Sequence, residues 1–221
     1  FHPDDDLLGF GVAATAILVG ILVFDTFLSR VSDLTRGGDG FENVDADSFL
    51  GVERLRSLLG GARTSRSIAF NSPEDVEFIA PLVCSLSDFL AKREGMGTMN
   101  WRRWEAPVCT SYAEGERFGR HGDASLSGGK EWEDMGGQRV VTAIVYLNDV
   151  PRGGETAFNK LGLSVKPLKG AALIFYPADA STWEADGRTE HEGVVAVDQK
   201  WIVQMFGRGG DRVPHPLGIP D

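Results

Sequence analysis

The sequence predicts a mostly β, α+β fold, with a jelly-roll core of two facing sheets and helices packed on its outside. Three observations predict it. After Gly97 the chain breaks into short apolar runs separated by Gly, Pro and Asp, the texture of strands joined by turns. Before Gly97, two stretches carry apolar residues at three- and four-residue spacing, which is helical. The 221 residues include 28 Gly, which suits a loop-rich β architecture, and the length is that of one all-β domain with flanking helices. The expectation is a single domain over 1–221, with a helical support region over about 25–97 and a jelly-roll core over about 98–210.

The elements follow in chain order. Leu7 to Phe24 is uncharged for 18 residues, long enough for a marginal membrane span or signal anchor, so membrane association stays open. Gly9, Gly11 and Gly20 interrupt it, and the expectation is a buried strand. Asp45 or Asp47 can cap a helix over Ser48 to Leu59, where Phe49, Leu50, Val52, Leu55, Leu58 and Leu59 form a stripe ended by Gly60-Gly61. A second helix starts at Pro73, after Ser72, and carries Val76, Ile79, Ala80, Val83, Leu86, Phe89 and Leu90 toward Gly95. Strands are expected over Ala106 to Tyr112, Val140 to Leu147, Thr156 to Phe158, Ala171 to Phe175, Gly193 to Val197 and Trp201 to Phe206. Between them, Ser125 to Gly137 and Pro177 to Gly187 are polar and Gly-bearing. Each is either a lid bringing Trp132 or Trp183 to a substrate, or a solvated loop whose indole packs back on the barrel.

A net charge of −10 argues against nucleic acid as a main partner, because phosphate binding needs clustered Lys and Arg. Arg102-Arg103, between Trp101 and Trp104, is either a cationic aromatic surface or a strand edge beside the core. Two Cys, Cys84 and Cys109, cannot make a disulfide framework, and whether they bridge is undecidable from sequence. The compartment stays open between an endomembrane lumen, such as the endoplasmic reticulum, and the cytoplasm.

The chemistry concentrates in His121-Gly122-Asp123, His191 and Lys200. Alternate residues of an extended strand point to one side, so His121 and Asp123 can reach one ion while Gly122 faces away. With His191 from a distant strand, two imidazoles and one carboxylate make a facial metal site with open positions, a set that suits oxygen-activating ferrous iron. Zinc sites of the structural kind favour Cys, and neither Cys has a CxxC partner. Lys200 can hold the far carboxylate of a dicarboxylic keto acid whose other end chelates the metal. The chain has four His; His2 and His215 lie near the termini and both interior His fall in the pattern.

From Val108 to Gly207 the order of motifs resembles the prolyl 4-hydroxylase family of Fe(II)- and 2-oxoglutarate-dependent dioxygenases. The resemblance rests on Tyr112-x-x-Gly115-x-x-Phe118-x-x-His121-x-Asp123, Arg139-x-x-Thr142-x-x-x-Tyr146-Leu147-Asn148, Gly153-Gly154-Glu155-Thr156-x-Phe158, Lys166-Pro167-x-x-Gly170-x-Ala172-Leu173-x-Phe175, and His191-x-Gly193 with Lys200-Trp201, all collinear. Asn159 follows Phe158 where the family has Pro. The resemblance implies a double-stranded, cupin-like β-helix, with Fe(II) on His121, Asp123 and His191. It implies 2-oxoglutarate as co-substrate beside Lys200, Tyr112, Tyr146 and Thr142, dioxygen as oxidant, and ascorbate as accessory reductant. Arg63, in Arg63-Thr64-Ser65, and Glu155 would lie near the substrate. Retention of Asp123 favours oxygenation over halogenation, since related halogenases lack that carboxylate. The expected reaction is hydroxylation of prolyl residues in peptides or proteins; oxidation of a free amino acid or other small molecule is the alternative, and a non-catalytic binding module is a third class that the intact ligand set disfavours. The oligomeric state is not readable from the chain.

Overall fold

The computed structural model of the protein describes residues 18–21, 63–70, 73–91 and 100–211. In order, they form β1 (Leu18–Ile21), β2 (Arg66–Ala69), α1 (Pro73–Ala91), β3 (Val108–Tyr112), β4 (Phe118–His121), β5 (Arg139–Tyr146), β6 (Thr156–Phe158), β7 (Leu163–Val165), β8 (Ala171–Phe175), β9 (His191–Gly193) and β10 (Lys200–Arg208). A six-stranded sheet runs β1-β8-β5-β10-β3-β2, and a four-stranded sheet runs β4-β9-β6-β7. Every pairing is antiparallel. Sequence neighbours are therefore often not sheet neighbours, as a jelly roll requires.

Strand alternation divides the large sheet into two faces with different work. Cys109, Ala143, Val145, Ala172, Ile174, Val203 and Met205 point outward and are buried under Ile79, Leu82, Val83, Leu86 and Leu90 of α1. Each of those helix side chains withdraws apolar surface worth about 1.5–3 kcal/mol. Pro81 sits inside the helix on its exposed face, where the ladder hydrogen bond it removes leaves a carbonyl accessible to water. A buried polar joint fixes the docking: Ser87 Oγ donates to the Val83 carbonyl at 2.8 Å and accepts from Trp104 Nε1 at 2.8 Å. The inner face carries Tyr112, Ile144, Tyr146, Leu173, Phe175 and Ile202, packed against Phe158 and Val165 of the small sheet.

Several expectations are revised. The Val194 to Val197 run is not a strand: β9 ends at Gly193, and only Ala196 makes an isolated bridge, to Gly153, while Val195 and Val197 are exposed. Burial on one face alone cannot make a ladder, and here the backbone turns toward β10. The region expected as helical support also contributes β2, which pairs with β3 at the edge of the large sheet. Within Leu7 to Phe24, residues 18–21 are β1, paired with β8; the rest of that stretch and the Ser48 to Leu59 helix lie outside the described residues. Among the described residues no helix is long and apolar enough to cross a membrane. Cys84 is exposed on α1, Cys109 is buried in β3, and both are free thiols. Trp101–Arg103 is a short 3-10 turn; the next residue, Trp104, is fully buried, and Arg103 pairs with Asp211 at 3.2 Å, so this segment is framework beside the core.

Candidate active site

His121, Asp123 and His191 converge at one end of the space between the two sheets, each offering a ligand atom, with these atoms all within 4.8 Å of one another. His121 and His191 are direct partners across β4 and β9, and their ring centroids are 4.4 Å apart. Asp123 lies two residues beyond the end of β4, in a bend, so strand alternation does not place it as the sequence reading supposed. The turn does: His121 Nε2 stands 3.7 Å from Asp123 Oδ1, and His191 Nε2 4.0 Å from Asp123 Oδ2. Both imidazoles are oriented alike. His121 Nδ1 meets the Gly119 carbonyl at 2.8 Å and His191 Nδ1 the Thr189 carbonyl at 3.0 Å. A carbonyl can only accept, so each Nδ1 carries the proton and each Nε2 presents its lone pair inward.

The electrostatics suit a metal ligand set. Burial, aided by His191, lowers the His121 pKa to about 4, so this imidazole is neutral at pH 7 and can donate a lone pair. Burial would raise the Asp123 carboxyl, but His191, His121, Arg139 and the Thr142 hydroxyl outweigh it and hold the group below the ordinary carboxylate range. A charged, nearly inaccessible carboxylate against two imidazole nitrogens is a divalent cation site by its donor chemistry. Aromatic rings enclose it. Phe175 meets His191 edge-on at 4.9 Å, and Phe158 lies 5.4 Å from the same ring. Phe118 stacks on His121 at 3.7 Å. That last contact exists because of a β-bulge: four residues on β4, Phe118 to His121, face three on β9, Gly193 to His191, which brings residues three apart onto one face.

Lys200 lies further along the same interior, where its partner across the ladder is Tyr112. It is 2% exposed. Its ammonium donates to the Gly154 carbonyl at 2.6 Å and sits 5.0 and 5.8 Å from the rings of Tyr112 and Tyr146. Among the described residues no carboxylate comes within ion-pair distance, although Glu155 is near enough to act on it through space. Burial drives its pKa down to about 8. A buried cation with incomplete pairing is costly and fits an anionic ligand. Two phenol rings flank it, and burial keeps both hydroxyls protonated by raising their pKa. Tyr146 Oη is 2.9 Å from Thr156 Oγ1; Arg63 and Ser65 lie close to Tyr112.

The other expected residues fall in three places. Arg63 joins the segment before β2 to the metal strand: its guanidinium covers the Phe118 ring at 4.7 Å, it donates to Ser65, Ser67 and Thr110, and it bridges Phe118 through the backbone. Thr142 is not placed at the Lys200 end. Its hydroxyl donates to Asp123 Oδ2 at 2.8 Å, and it lies four positions before Tyr146 on β5. Trp132 and Trp183 are packed back on the framework. Trp132 covers the guanidinium groups of Arg139 and Arg208, at 5.6 and 4.6 Å, and these two share Glu105. Trp183, in the left-handed region at φ 61°, lays its indole over Gly137 and Gly209, where an added Cβ would stand 2.3 Å from the ring.

Sequence reasoning missed Thr156, the Gly154 carbonyl, Phe118 and Gln138. The first three lie inside motifs already noted, as the unassigned letters between assigned ones. Gln138 carried no signal. It is fully buried, and its amide is saturated: Oε1 accepts from the amides of Ser125 and Arg139 at 2.9 and 3.2 Å, and Nε2 donates to the carbonyls of Ser125 and Trp183 at 2.7 and 3.2 Å. One side chain thus ties the loop after Asp123 to the loop before His191.

Comparison with known proteins agrees with this geometry. Residues 107–208 match a family model described as the 2OG-Fe(II) oxygenase superfamily. The chain is 35% identical over 95 residues to prolyl 4-hydroxylase subunit alpha-1 of Homo sapiens, covering 42% of this chain and 18% of that one. It is 32% identical over 101 residues to a relative from Acanthamoeba polyphaga mimivirus, covering 44% of this chain and 42% of the other. The chain therefore spans less than half the length of these curated relatives. Among solved structures, the viral collagen prolyl hydroxylase of Paramecium Bursaria Chlorella virus-1 in its 2OG complex is similar, with TM-score 0.57 and 26% identity over 73% of this chain and 87% of that one. A Trichoplax adhaerens prolyl hydroxylase in complex with a hypoxia inducible factor peptide shares the double-stranded β-helix fold, with TM-score 0.58 and 16% identity over 88% and 83% of the two chains.

Proposed function

We propose that this protein, whose residues 107–208 match a family model described as the 2OG-Fe(II) oxygenase superfamily, is an Fe(II)- and 2-oxoglutarate-dependent dioxygenase that hydroxylates prolyl residues in peptides or proteins. The observation that carries the reading is the pairing, in one interior, of the His121, Asp123 and His191 cluster with a buried Lys200 that lacks a carboxylate partner among the described residues. His121 Nε2, His191 Nε2 and the Asp123 carboxylate would hold the iron. Lys200, with the hydroxyls of Tyr112, Tyr146 and Thr156, would hold the distal carboxylate of 2-oxoglutarate. When bound, iron and 2-oxoglutarate supply the oxidising chemistry: dioxygen, 2-oxoglutarate and a substrate C–H yield carbon dioxide, succinate and an alcohol.

The chain's own part is to bind, orient and exclude. The two carbonyl-anchored imidazoles keep their Nε2 atoms aimed at one point. Phe158 and Phe175 shield His191 and keep water from that side. Lys200 neutralises an incoming dicarboxylate, at a cost in solvation already incurred in the fold. Peptidyl proline is proposed from the relatives, which are named for prolyl hydroxylation; Arg63 and Glu155 would face that substrate. Ascorbate would serve as accessory reductant.

The test is succinate formation by anaerobically iron-loaded protein on admission of air, with proline-containing peptides compared against free amino acids. Peptide-stimulated turnover with mass gain of one oxygen on proline supports the proposal. Stimulation by free amino acids alone would replace its substrate class, and absence of turnover with iron and 2-oxoglutarate demonstrably bound would overturn it.

A further inference from the structure

We propose that Thr142 is a positioning residue of the metal centre, fixing the Asp123 carboxylate against the two imidazoles; the inference rests on the iron reading above. Thr142 is fully buried, so its hydroxyl has no access to solvent, and its one proton goes to Asp123 Oδ2 at 2.8 Å. A hydroxyl buried without a partner is unfavourable, so this contact is what reconciles a Thr with the interior of the central strand. The neighbours at the same depth on β5, Ile144 and Val145, are apolar.

The two partners differ in how firmly their own backbones hold them. Thr142 is paired on both sides, with Phe175 of β8 and Phe206 of β10, and as a β-branched residue it has restricted χ1 freedom. Asp123 follows Gly122 in a bend beyond the end of β4. The rigid member therefore orients the less constrained one. Without the bond the carboxylate could rotate about its side-chain torsion away from His121 Nε2 and His191 Nε2, which stand 3.7 and 4.0 Å from its two oxygens. A role on the co-substrate is disfavoured by the same geometry. The Thr142 hydroxyl proton is already donated to Asp123, so none is left for a co-substrate oxygen, and it is Tyr146, four positions further along the strand, whose ring lies beside Lys200.

The experiment uses the full chain as wild type, Thr142→Val and Thr142→Ser, titrated calorimetrically with Mn(II) under nitrogen and then, at saturating Mn(II), with 2-oxoglutarate. Loss of the hydroxyl in Thr142→Val is expected to weaken Mn(II) binding about 10- to 100-fold, the range for lost outer-shell partners, with Thr142→Ser within about threefold of wild type. Affinity for 2-oxoglutarate on the Mn(II)-saturated proteins is expected to be unchanged. Thr142→Ala removes the same hydroxyl with less bulk and carries the test if Val is not accommodated. Wild-type Mn(II) affinity in the Val or Ala variant overturns the inference alone, as does intact Mn(II) binding with a tenfold loss of 2-oxoglutarate affinity. If wild type itself takes no Mn(II), the iron reading fails first.

Discussion

Replacing Lys200 by Met separates the two things this ammonium does, stabilising a bound dicarboxylate and burdening the fold without one. In the ligand-free protein burial lowers its pKa from 10.5 to about 8, which corresponds to about 3 kcal/mol of disfavoured charge at neutral pH. Met is close in length, carries no charge, and removes that cost. Against it stands the hydrogen bond to the Gly154 carbonyl, whose loss leaves a buried acceptor at roughly 1–3 kcal/mol. The Lys200→Met protein is therefore expected to unfold no more easily than wild type at pH 7. The pH dependence has a defined sign. The unfolded chain binds this proton more tightly than the native one, so wild-type stability rises as pH climbs from about 8 to 10.5, and the variant's relative advantage disappears over that interval. Co-substrate binding moves the other way. A charge-assisted hydrogen bond contributes about 1.5–3 kcal/mol, so the KM for 2-oxoglutarate should rise about 10- to 150-fold, and wild-type affinity should itself decline above pH 8 as the ammonium is lost. Thermal unfolding from pH 7 to 10.5 and succinate production against 2-oxoglutarate concentration measure both halves. A variant with wild-type KM, or one that loses most of its thermal stability at pH 7, would refute the reasoning.

Three further outcomes are expected. His121→Ala, Asp123→Ala and His191→Ala each remove a ligand from the cluster and should abolish turnover and reduce Mn(II) binding by at least about tenfold by calorimetry, leaving the circular dichroism spectrum unchanged. Gly153→Ala should destabilise by roughly 2 kcal/mol or more in denaturant unfolding, because φ is +68° and the new Cβ would stand 2.4 Å from the Val195 carbonyl oxygen, next to the Gly154 carbonyl that holds Lys200. Gln138→Glu keeps the shape but removes the two N–H donors to Ser125 and Trp183. It should accelerate hydrogen exchange in both loops and lower thermal stability by several degrees.

What was legible from sequence followed the length of the pattern. The eight residues of β5 and nine of β10 carry enough alternating and apolar positions to declare themselves, and α1 shows its buried stripe despite Pro81. The strands β7 and β9 do not: each is three residues long, β7 exists as the short-range partner of β6, and β9 depends on β4 and β6, distant in the chain. The same limit shaped the site. His121 and Asp123 were found through an assumed strand, yet the strand stops at His121 and a bend completes the approach. Phe118 lay hidden because simple alternation sends residues three apart to opposite faces, and the bulge in β4 reverses that. Thr142 was read from its motif as a pocket residue because the motif records position, whereas its partner depends on where the turn after β4 returns Asp123.

The distribution of buried polar groups gives these local departures a common cause. The outward face of the large sheet meets α1 through nearly uninterrupted apolar side chains. The space between the sheets instead buries Thr110, Asp123, Thr142, Thr156, His191, Lys200 and Gln204, and each costs desolvation that an apolar side chain would not. Most of that cost is offset internally: Thr110 donates to Gln204, Tyr146 shares a hydrogen bond with Thr156, and Thr142 donates to Asp123. The offset is incomplete at two places, the inward lone pairs of the two imidazoles beside a charged carboxylate, and the Lys200 ammonium. A fold selected for stability alone would close both with apolar residues, since an incompletely paired buried charge is a net loss. Their opposite signs, a cation site at one end and an anion site at the other, suit the proposed ligand pair, in which a chelating dicarboxylate would span from metal to ammonium. Joint saturation with Mn(II) and 2-oxoglutarate should accordingly raise the thermal midpoint by more than the sum of the two separate shifts, because each ligand completes the charge balance of the other's site.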